Sequence, residues 1–224
     1  MIPFPFRRIL LACWILLVPA LSLAQDQKPA RAQLEVFSSG LESLHAQFAQ
    51  RVIGSDGVVQ DSTEGEVWLS RPARFRWAYG GDFPELVVAD GRRVWIYDES
   101  LEQVTVKDQA EAAAAAPLTV LTEPGRLDSE FEVREAGEAS GLQLLELRSR
   151  SADAEFERIL LGFGEDTPRL MILEDAFGLR TELRFDQLRR NPPLDEGLFR
   201  FEPPPGVDVI GSVPDITPLG ERGR

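Results

Sequence analysis

Alternation between apolar and polar residues is strongest between residues 65 and 98. Four segments there are rich in β-branched and aromatic residues, namely 66–70, 74–79, 85–89 and 93–97, and such residues favour strands. The dipeptide Asp90-Gly91 predicts a two-residue hairpin between the last two segments. Because alternate residues of a strand point to opposite faces, Phe75, Trp77 and Tyr79 share one face of the second strand.

The aromatic residues of this stretch predict a second feature. Trp68, Trp77 and Trp95 all lie within it, and Trp95 shares a strand face with Tyr97. We therefore predict that the sheet carries one broad aromatic face. That face is either ordinary core beneath a helix or the lining of a cavity for an apolar ligand. Periodicity alone does not separate these two interpretations.

The same pattern extends along most of the chain. Period-two segments predict further strands at 44–53, 102–107, 131–135, 142–148, 156–162, 169–174 and 180–188, and around Phe199 and Phe201, with a bulge near Asp186. Helical spacing covers 31–43, Pro117 opens a helical turn, and the alanine run 112–116 is either a short helix or a low-complexity insertion. The pattern indicates a mainly β (α+β) fold, a curved antiparallel sheet of about eleven strands that forms an incomplete, open barrel with a helical lid.

The first residues have the organisation of a cleaved secretory signal peptide. Arg7 and Arg8 form the charged region, residues 9–18 are apolar, and Ser22-Leu23-Ala24 is a small-x-small cleavage site. We therefore predict a signal peptide at 1–24, one domain at 25–210 and a flexible tail at 211–224. The lone cysteine, Cys13, leaves with the signal peptide, so the mature chain has no disulfide and no thiolate site.

The excess of acidic over basic residues limits the classes of partner that the chain can bind. The full sequence carries a net charge of −13, and removing Arg7 and Arg8 leaves 22 basic against 37 acidic residues, a net charge of −15. This charge argues against nucleic-acid binding and against adhesion to anionic lipid surfaces.

A search for catalytic motifs finds no arrangement that carries a reaction. The single histidine, His45, has no serine in a nucleophile context beside it. The spacing of residues matches no metal site, phosphate loop or dinucleotide fingerprint. Acid pairs such as Asp82 with Glu85, or Glu174 with Asp175, are expected by chance in so acidic a chain. We predict neither catalytic nor metal-binding residues, and no cofactor.

One arginine differs from the other charged residues in its position. Arg71 precedes Pro72 between two apolar strands, and the proline interrupts the strand pairing there. Arg71 is either an exposed turn residue or a group that reaches the carbonyls of a nearby helix and holds that helix over a cavity.

A set of short segments occurs in a characteristic order along the chain. The segments are 48–50, 65–72, 75–77, 87–91, 94–98, 101–105, 117–121 and 199–209. In these segments the chain resembles the outer-membrane lipoprotein carrier protein family, LolA. The resemblance covers nearly all of residues 30–210, and the alanine run and the residues after Ile210 depart from the family pattern.

The resemblance implies a carrier of lipoproteins in the periplasm. It implies an open barrel whose helical lid covers a hydrophobic cavity, with acylated lipoproteins as cargo, an inner-membrane ABC-type complex that releases them and an outer-membrane receptor that accepts them. It assigns to Arg71 the role of lid latch, the residue whose side chain holds the helical lid closed over the cavity. The acyl-binding residues that we expect are Trp68, Phe75, Trp77, Trp95, Tyr97, Leu118 and Leu121, and we expect a monomer.

Two other functions remain open from the sequence. One is a lipid-binding envelope sensor or receptor with the same fold. The other is a secreted carboxylate-dependent hydrolase, which would require two acids that converge in a cleft with shifted pKa values.

Overall fold

The computed structural model describes residues 28–109 and 118–211. The predicted signal peptide, the alanine run and residues 212–224 lie outside this part of the chain. Helix α1 spans Ala30–Ser38, and short helices span Thr119–Thr122 and Leu127–Glu130, with 3-10 turns at Pro124–Arg126 and Glu196–Phe199. We refer to residues 118–130 as the lid segment.

Twelve strands form in the described residues. They are β1 (Ser43–Ile53), β2 (Val59–Ser70), β3 (Arg74–Tyr79), β4 (Glu85–Ala89), β5 (Arg93–Asp98), β6 (Gln103–Asp108), β7 (Phe131–Ala139), β8 (Leu142–Ser149), β9 (Arg158–Gly164), β10 (Thr167–Glu174), β11 (Arg180–Arg190) and β12 (Asp208–Gly211). All belong to one sheet with the order β12-β6-β5-β4-β3-β2-β1-β11-β10-β9-β8-β7. The sheet is not closed, since β12 and β7 are its two ends, and the predicted open β architecture is confirmed.

The C-terminal part of the sheet differs from the sequence prediction. The predicted strand around Phe199 and Phe201 is wrong, because Phe199 ends a 3-10 turn that Asp195 caps by accepting a hydrogen bond from the backbone N–H of Gly197. The prolines at 203–205 then lack the N–H donors that a strand requires. The last strand is instead β12, which pairs with β6 in parallel and includes Gly211, the first residue of the predicted tail.

Helix α1 is shorter than the spacing of its apolar residues indicated. It ends at Ser38, and Gly40 adopts a positive φ of 66° before β1 begins. Leu41 and Leu44 are buried nevertheless. Their spacing suits a helix, but here the exit loop and the strand bury them.

The predicted bulge near Asp186 is confirmed. His45 on β1 pairs with Arg189, whereas Gln47 pairs with Asp186, so β11 carries one extra residue. Gln187 in the bulge has a positive φ of 47°. The bulge bends the strand that joins the two halves of the sheet.

The sheet buries apolar residues on both faces. On the inner face, α1 and the lid segment share one core with the sheet, and the largest fully buried side chains of that core include Phe37, Phe163, Leu34, Leu121 and Leu161. On the outer face, a smaller cluster of Val88, Trp95, Val104 and Val106 lies beneath Phe201 and Val207. The C-terminal segment therefore covers part of the outer face. Among the described residues, no helix has the length and hydrophobicity needed to span a membrane.

Candidate ligand-binding groove

A groove of about 1020 Å³ lies where the β2–β3 turn, the lid segment and the β8–β9 loop meet. Charged side chains of both signs surround an apolar interior. Such a site suits an amphiphilic ligand whose hydrocarbon part lies inside. The large apolar lining residues are Leu69, Phe75, Leu118, Val120, Leu127, Phe131, Phe156 and Ile159.

The lid segment lies over the sheet because its apolar residues point to the inner core. Leu118, Val120, Leu121 and Leu127 are all buried there. Its charged residues are exposed or partly exposed, and the guanidinium of Arg126 forms ion pairs with Glu123 and Glu130, two of the three acids of the segment. Burial of four aliphatic side chains thus holds the segment down, and partial exposure of that surface is the energetic cost of opening it.

Two arginines fasten the C-terminal half of the lid segment. The Nε of Arg150 donates to the backbone oxygens of Asp128 at 3.3 Å and Phe131 at 3.1 Å. The guanidinium of Arg31, on α1, donates to both carboxylate oxygens of Asp128 at 2.9 and 2.5 Å. These contacts join the lid segment to α1 and to the β8–β9 loop.

Replacing Arg31 with glutamine is expected to change how Asp128 titrates. The hydrogen bond from Arg31 is the largest influence and lowers the pKa of Asp128, with the charge of Arg31 adding to it. Because the folded-state pKa is depressed, this link is present above the usual aspartate pKa and is lost as pH falls through the lower folded value. In Arg31→Gln the pKa of Asp128 should rise towards the ordinary aspartate value, as followed by NMR of the side-chain carboxyl. Arg92→Gln, on a distant turn, is the control, and an unchanged Asp128 titration in Arg31→Gln would contradict the expected link.

The structure separates the predicted acyl-binding residues into three groups. Phe75 and Leu118 line the groove. Trp77 and Leu121 belong to the inner core beside the groove without lining it. Trp68, Trp95 and Tyr97 lie on the outer face, so the prediction of one broad aromatic face is wrong for these three residues.

Strand register explains why the aromatic residues of β5 lie on the face opposite the predicted one. Phe75 pairs with Ala89, and Ala89 pairs with Val94, so these three share the inner face. Trp95 is the next residue and therefore points outward. There its indole nitrogen donates to the carboxylate of Asp90 at 3.1 Å, and its ring lies 5.8 Å from that of Phe201.

The hairpin between β4 and β5 is offset from its predicted position. The backbone N–H of Asp90 donates to the carbonyl of Arg93, so the two central residues are Gly91 and Arg92. Gly91 has a φ of 99°, which a glycine adopts without strain. The Asp90 carboxylate accepts from the N–H groups of Arg92 and Arg93. Partial burial alone would raise the pKa of Asp90, but these bonds and that from Trp95 lower it.

Trp68 also has a structural contact on the outer face. Its ring stacks on His45 at 5.1 Å, with 8° between the planes. A guanidinium nitrogen of Arg189 approaches Nδ1 of His45 at 2.6 Å, and Nε2 lies 2.8 Å from Glu66. Because arginine can only donate, Nδ1 is the acceptor and Nε2 carries the proton that Glu66 accepts. His45 is thus a bonded polar residue in a stack.

Arg71, the predicted latch, lies on the rim of the groove. Its backbone N–H donates to the carbonyl of Glu42, and its side chain is exposed. Among residues 28–109 and 118–211, its guanidinium forms no hydrogen bond or ion pair. The latch therefore stays a prediction.

Sequence reasoning missed most of the groove. The large apolar residues that were missed are Leu69, Val120, Leu127, Phe131, Phe156 and Ile159. Leu127 and Phe131 are four residues apart, a spacing typical of one face of a helix, although the helix ends at Glu130 and Phe131 begins β7. This spacing was visible in the sequence, whereas the approach of the β8–β9 loop to the β2–β3 turn depends on how the sheet curls.

The acid pairs named from the sequence lie outside the groove. Glu174 forms an ion pair with Arg158 at 3.0 Å. Glu85 faces Asp98 across β4 and β5, where burial and the negative charge of Asp98 raise its pKa, but this pair does not line the groove. Within the described part of the chain, no group of three or more His, Cys, Asp or Glu residues could hold a metal ion.

Comparison with known proteins agrees with this architecture. An outer-membrane lipoprotein carrier protein of Xanthomonas campestris pv. campestris (strain B100) is 42% identical over 184 residues, which cover 81% of this chain and 88% of the relative. The protein of that description from Dechloromonas aromatica (strain RCB) is 37% identical over 205 residues, covering 92% and 97%.

A solved structure also has a similar fold. An uncharacterized conserved protein from Thermus thermophilus matches with a TM-score of 0.53 and 17% identity, covering 81% of this chain and 98% of that one. The family model described as outer membrane lipoprotein carrier protein LolA matches residues 39–202. This chain therefore belongs to the LolA family of outer membrane lipoprotein carrier proteins.

Proposed function

We propose that this protein is a periplasmic carrier that binds the acyl chains of lipoproteins in its groove and carries the lipoproteins between membranes. The observation that carries the proposal is the groove of about 1020 Å³ with an apolar interior, of which the lid segment forms one wall. Membership of the LolA family and the names of the relatives support it. The predicted cleaved signal peptide fits the periplasmic location.

The physical need for such a carrier follows from the cargo. Each CH₂ kept out of water is worth about 0.8 kcal/mol, so exposing one long acyl chain is unfavourable by on the order of 10 kcal/mol. A carrier therefore needs an apolar site that is covered when empty and opens at modest free-energy cost. A lid segment held by a few aliphatic residues and two arginines meets both requirements.

The proposed cycle has two membrane partners. An inner-membrane ABC-type releasing complex would load the carrier, and an outer-membrane lipoprotein receptor would unload it. We propose that the carrier acts as a monomer, in which one groove serves one lipoprotein.

A release assay tests this function directly. Purified mature protein is incubated with spheroplasts that synthesise a labelled lipoprotein destined for the outer membrane. We expect the label to enter the supernatant in an equimolar complex with the carrier. If no label is released although the protein binds a fluorescent fatty-acid probe, the groove binds acyl chains but the assigned cargo is wrong.

Replacing Arg71 with leucine tests the latch. A contact that favours the closed state weakens ligand binding, because the ligand must displace it. Without the guanidinium we expect the fatty-acid probe to bind roughly fivefold more tightly, which corresponds to about 1 kcal/mol. Fluorescence titration measures the change, and Arg92→Leu is the matched control on another exposed turn. Equal affinities of Arg71→Leu and wild type would show that Arg71 is only a turn residue.

A further inference from the structure

Two exposed apolar side chains lie at neighbouring turns of the sheet. Phe83, in the β3–β4 turn, is 80% exposed, and Leu101, in the β5–β6 turn, is 68% exposed. The turns are adjacent, since the N–H of Glu99 donates to the carbonyl of Pro84 at 3.2 Å. A single exposed apolar residue is ordinary, so the surroundings of this pair decide its meaning.

Local hydrogen bonds hold both turns in shape. The carboxylate of Asp98 accepts from the N–H groups of Ser100 at 2.9 Å and Leu101 at 3.0 Å. The hydroxyl of Thr63 donates to the carbonyl of Gly80 at 3.0 Å, which ties the β3–β4 turn to β2. The apolar side chains are thus presented on fixed backbone, which reduces the entropy lost when a partner binds.

The charged residues in the segments around Phe83 and Leu101 are all acidic. The segments 80–85, 98–102 and 205–210 contain no lysine, arginine or histidine. Burial raises the pKa of Glu85, and the nearby charge of Asp98 raises it further, as crowded negative charge requires. The six acids of these segments are Asp82, Glu85, Asp98, Glu99, Glu102 and Asp208.

We infer that the β3–β4 and β5–β6 turns form a docking surface for a protein partner whose contact surface is cationic and contains an apolar pocket. Phe83 and Leu101 are the anchors, and the surrounding carboxylates steer the partner and fix its orientation. An anionic lipid surface is disfavoured, because it would bring further negative charge against these acids.

The surface is separate from the groove. It lies at the end of β3 opposite the β2–β3 turn that lines the groove, and β3 has six residues, a length of roughly 20 Å. A partner bound here leaves the groove free for cargo. The inference rests on the proposed carrier function, because a carrier must recognise the membrane proteins that load or unload it.

The test is flotation of the labelled full-length mature protein with three kinds of vesicle. These are right-side-out inner-membrane vesicles from spheroplasts, outer-membrane fragments, and protein-free vesicles of phosphatidylethanolamine and phosphatidylglycerol. We expect binding to at least one native membrane, loss of that binding after protease treatment of the membrane, and weaker binding in raised salt. The double variant Phe83→Ser/Leu101→Ser should bind on the order of tenfold more weakly.

Matched variants separate docking from general effects. Phe177 is 88% exposed in the β10–β11 turn, beside Arg180, so Phe177→Ser removes a similar side chain from a surface of mixed charge. It should bind native membranes as wild type does, whereas Asp82→Lys/Glu99→Lys should lose binding as the apolar double variant does. Every variant should bind the fatty-acid probe normally, and failure there would count against the groove or the fold instead.

Four results would overturn the docking surface. They are wild-type protein that binds neither native membrane, equal binding to protein-free vesicles, unchanged binding by Phe83→Ser/Leu101→Ser, and an equal loss in Phe177→Ser.

Discussion

Replacing Phe75 with glutamate is expected to weaken binding of the fatty-acid probe by on the order of a hundredfold. Phe75 lines the groove and packs against the inner core. The change removes about 1.5–3 kcal/mol of apolar contact and places a carboxylate where an acyl chain would lie. Release of lipoprotein from spheroplasts should fall with the affinity, and fluorescence titration with a release assay measures both effects.

The control for this variant must separate binding from folding. Phe177→Glu makes the identical substitution at an exposed turn and should leave both measurements unchanged. Phe75→Leu keeps an apolar side chain in the groove and should retain most of the affinity. If Phe75→Glu retains a wild-type thermal transition and binds the probe normally, the acyl chain does not lie in this groove.

Replacing Gly65 with alanine is expected to destabilise the fold by about 3 kcal/mol, the upper part of the range for overpacked cores. A Cβ at this position would collide with the backbone oxygen of Ala78 and would lie 2.7 Å from Cζ of Phe48. The ring of Phe48 forms edge contacts with Trp77 at 4.9 Å and Tyr79 at 5.2 Å. The variant must therefore shift either the strand pairing or this aromatic cluster.

Thermal unfolding measures this effect. For a protein of this length, 3 kcal/mol corresponds to a decrease in Tm of roughly 6–12 °C. Gly80→Ala is the matched control, because a Cβ there meets only the oxygen of Glu64 at 3.4 Å and its φ is not positive. Equal transition temperatures for Gly65→Ala and Gly80→Ala would show that the sheet adapts to the added methyl group.

The stability of the protein at alkaline pH depends on Tyr79, which belongs to the same aromatic cluster. Burial of Tyr79, with the negative charge of Glu85, raises its pKa to about 12. When the folded-state pKa of a tyrosine is raised, its neutral form contributes to the free energy of unfolding. That contribution is complete below the unfolded-state pKa and is lost as pH rises through the folded-state pKa. Stability should therefore decrease between about pH 10 and 12, and Tyr79→Phe should reduce that part of the decrease.

The strands are the part of this fold that sequence predicts well. Alternation between apolar and polar residues is a local property, so the strands of the first half and the bulge near Asp186 follow from residues close in the chain. The edge strand β12 was missed because its pairing with β6 depends on residues about a hundred positions away.

Which residues lie on the inner face of the sheet depends on the register between strands. Val87 and Val88 are both apolar, so neither face of β4 is marked as the inner one by composition. The paired residues Ala89 and Val94 are separated by four residues, an even number, so Val94 lies on the face of Phe75 and Trp95 on the opposite face. A count of turn residues would have shown this, since a shift of one residue moves every side chain to the other face.

By itself the sequence determined the type of most elements, the acidic charge and the family resemblance, because these are properties of local pattern and composition, and it predicts the signal peptide. Only the tertiary structure decided which aromatic residues face inward, where the groove opens, and that Arg31 and Arg150 fasten the lid segment. The physical reason is that the groove forms between the β2–β3 turn and the β8–β9 loop, which are separated by more than seventy residues. These segments meet only through the accumulated twist and curl of the sheet, which no single stretch of sequence specifies.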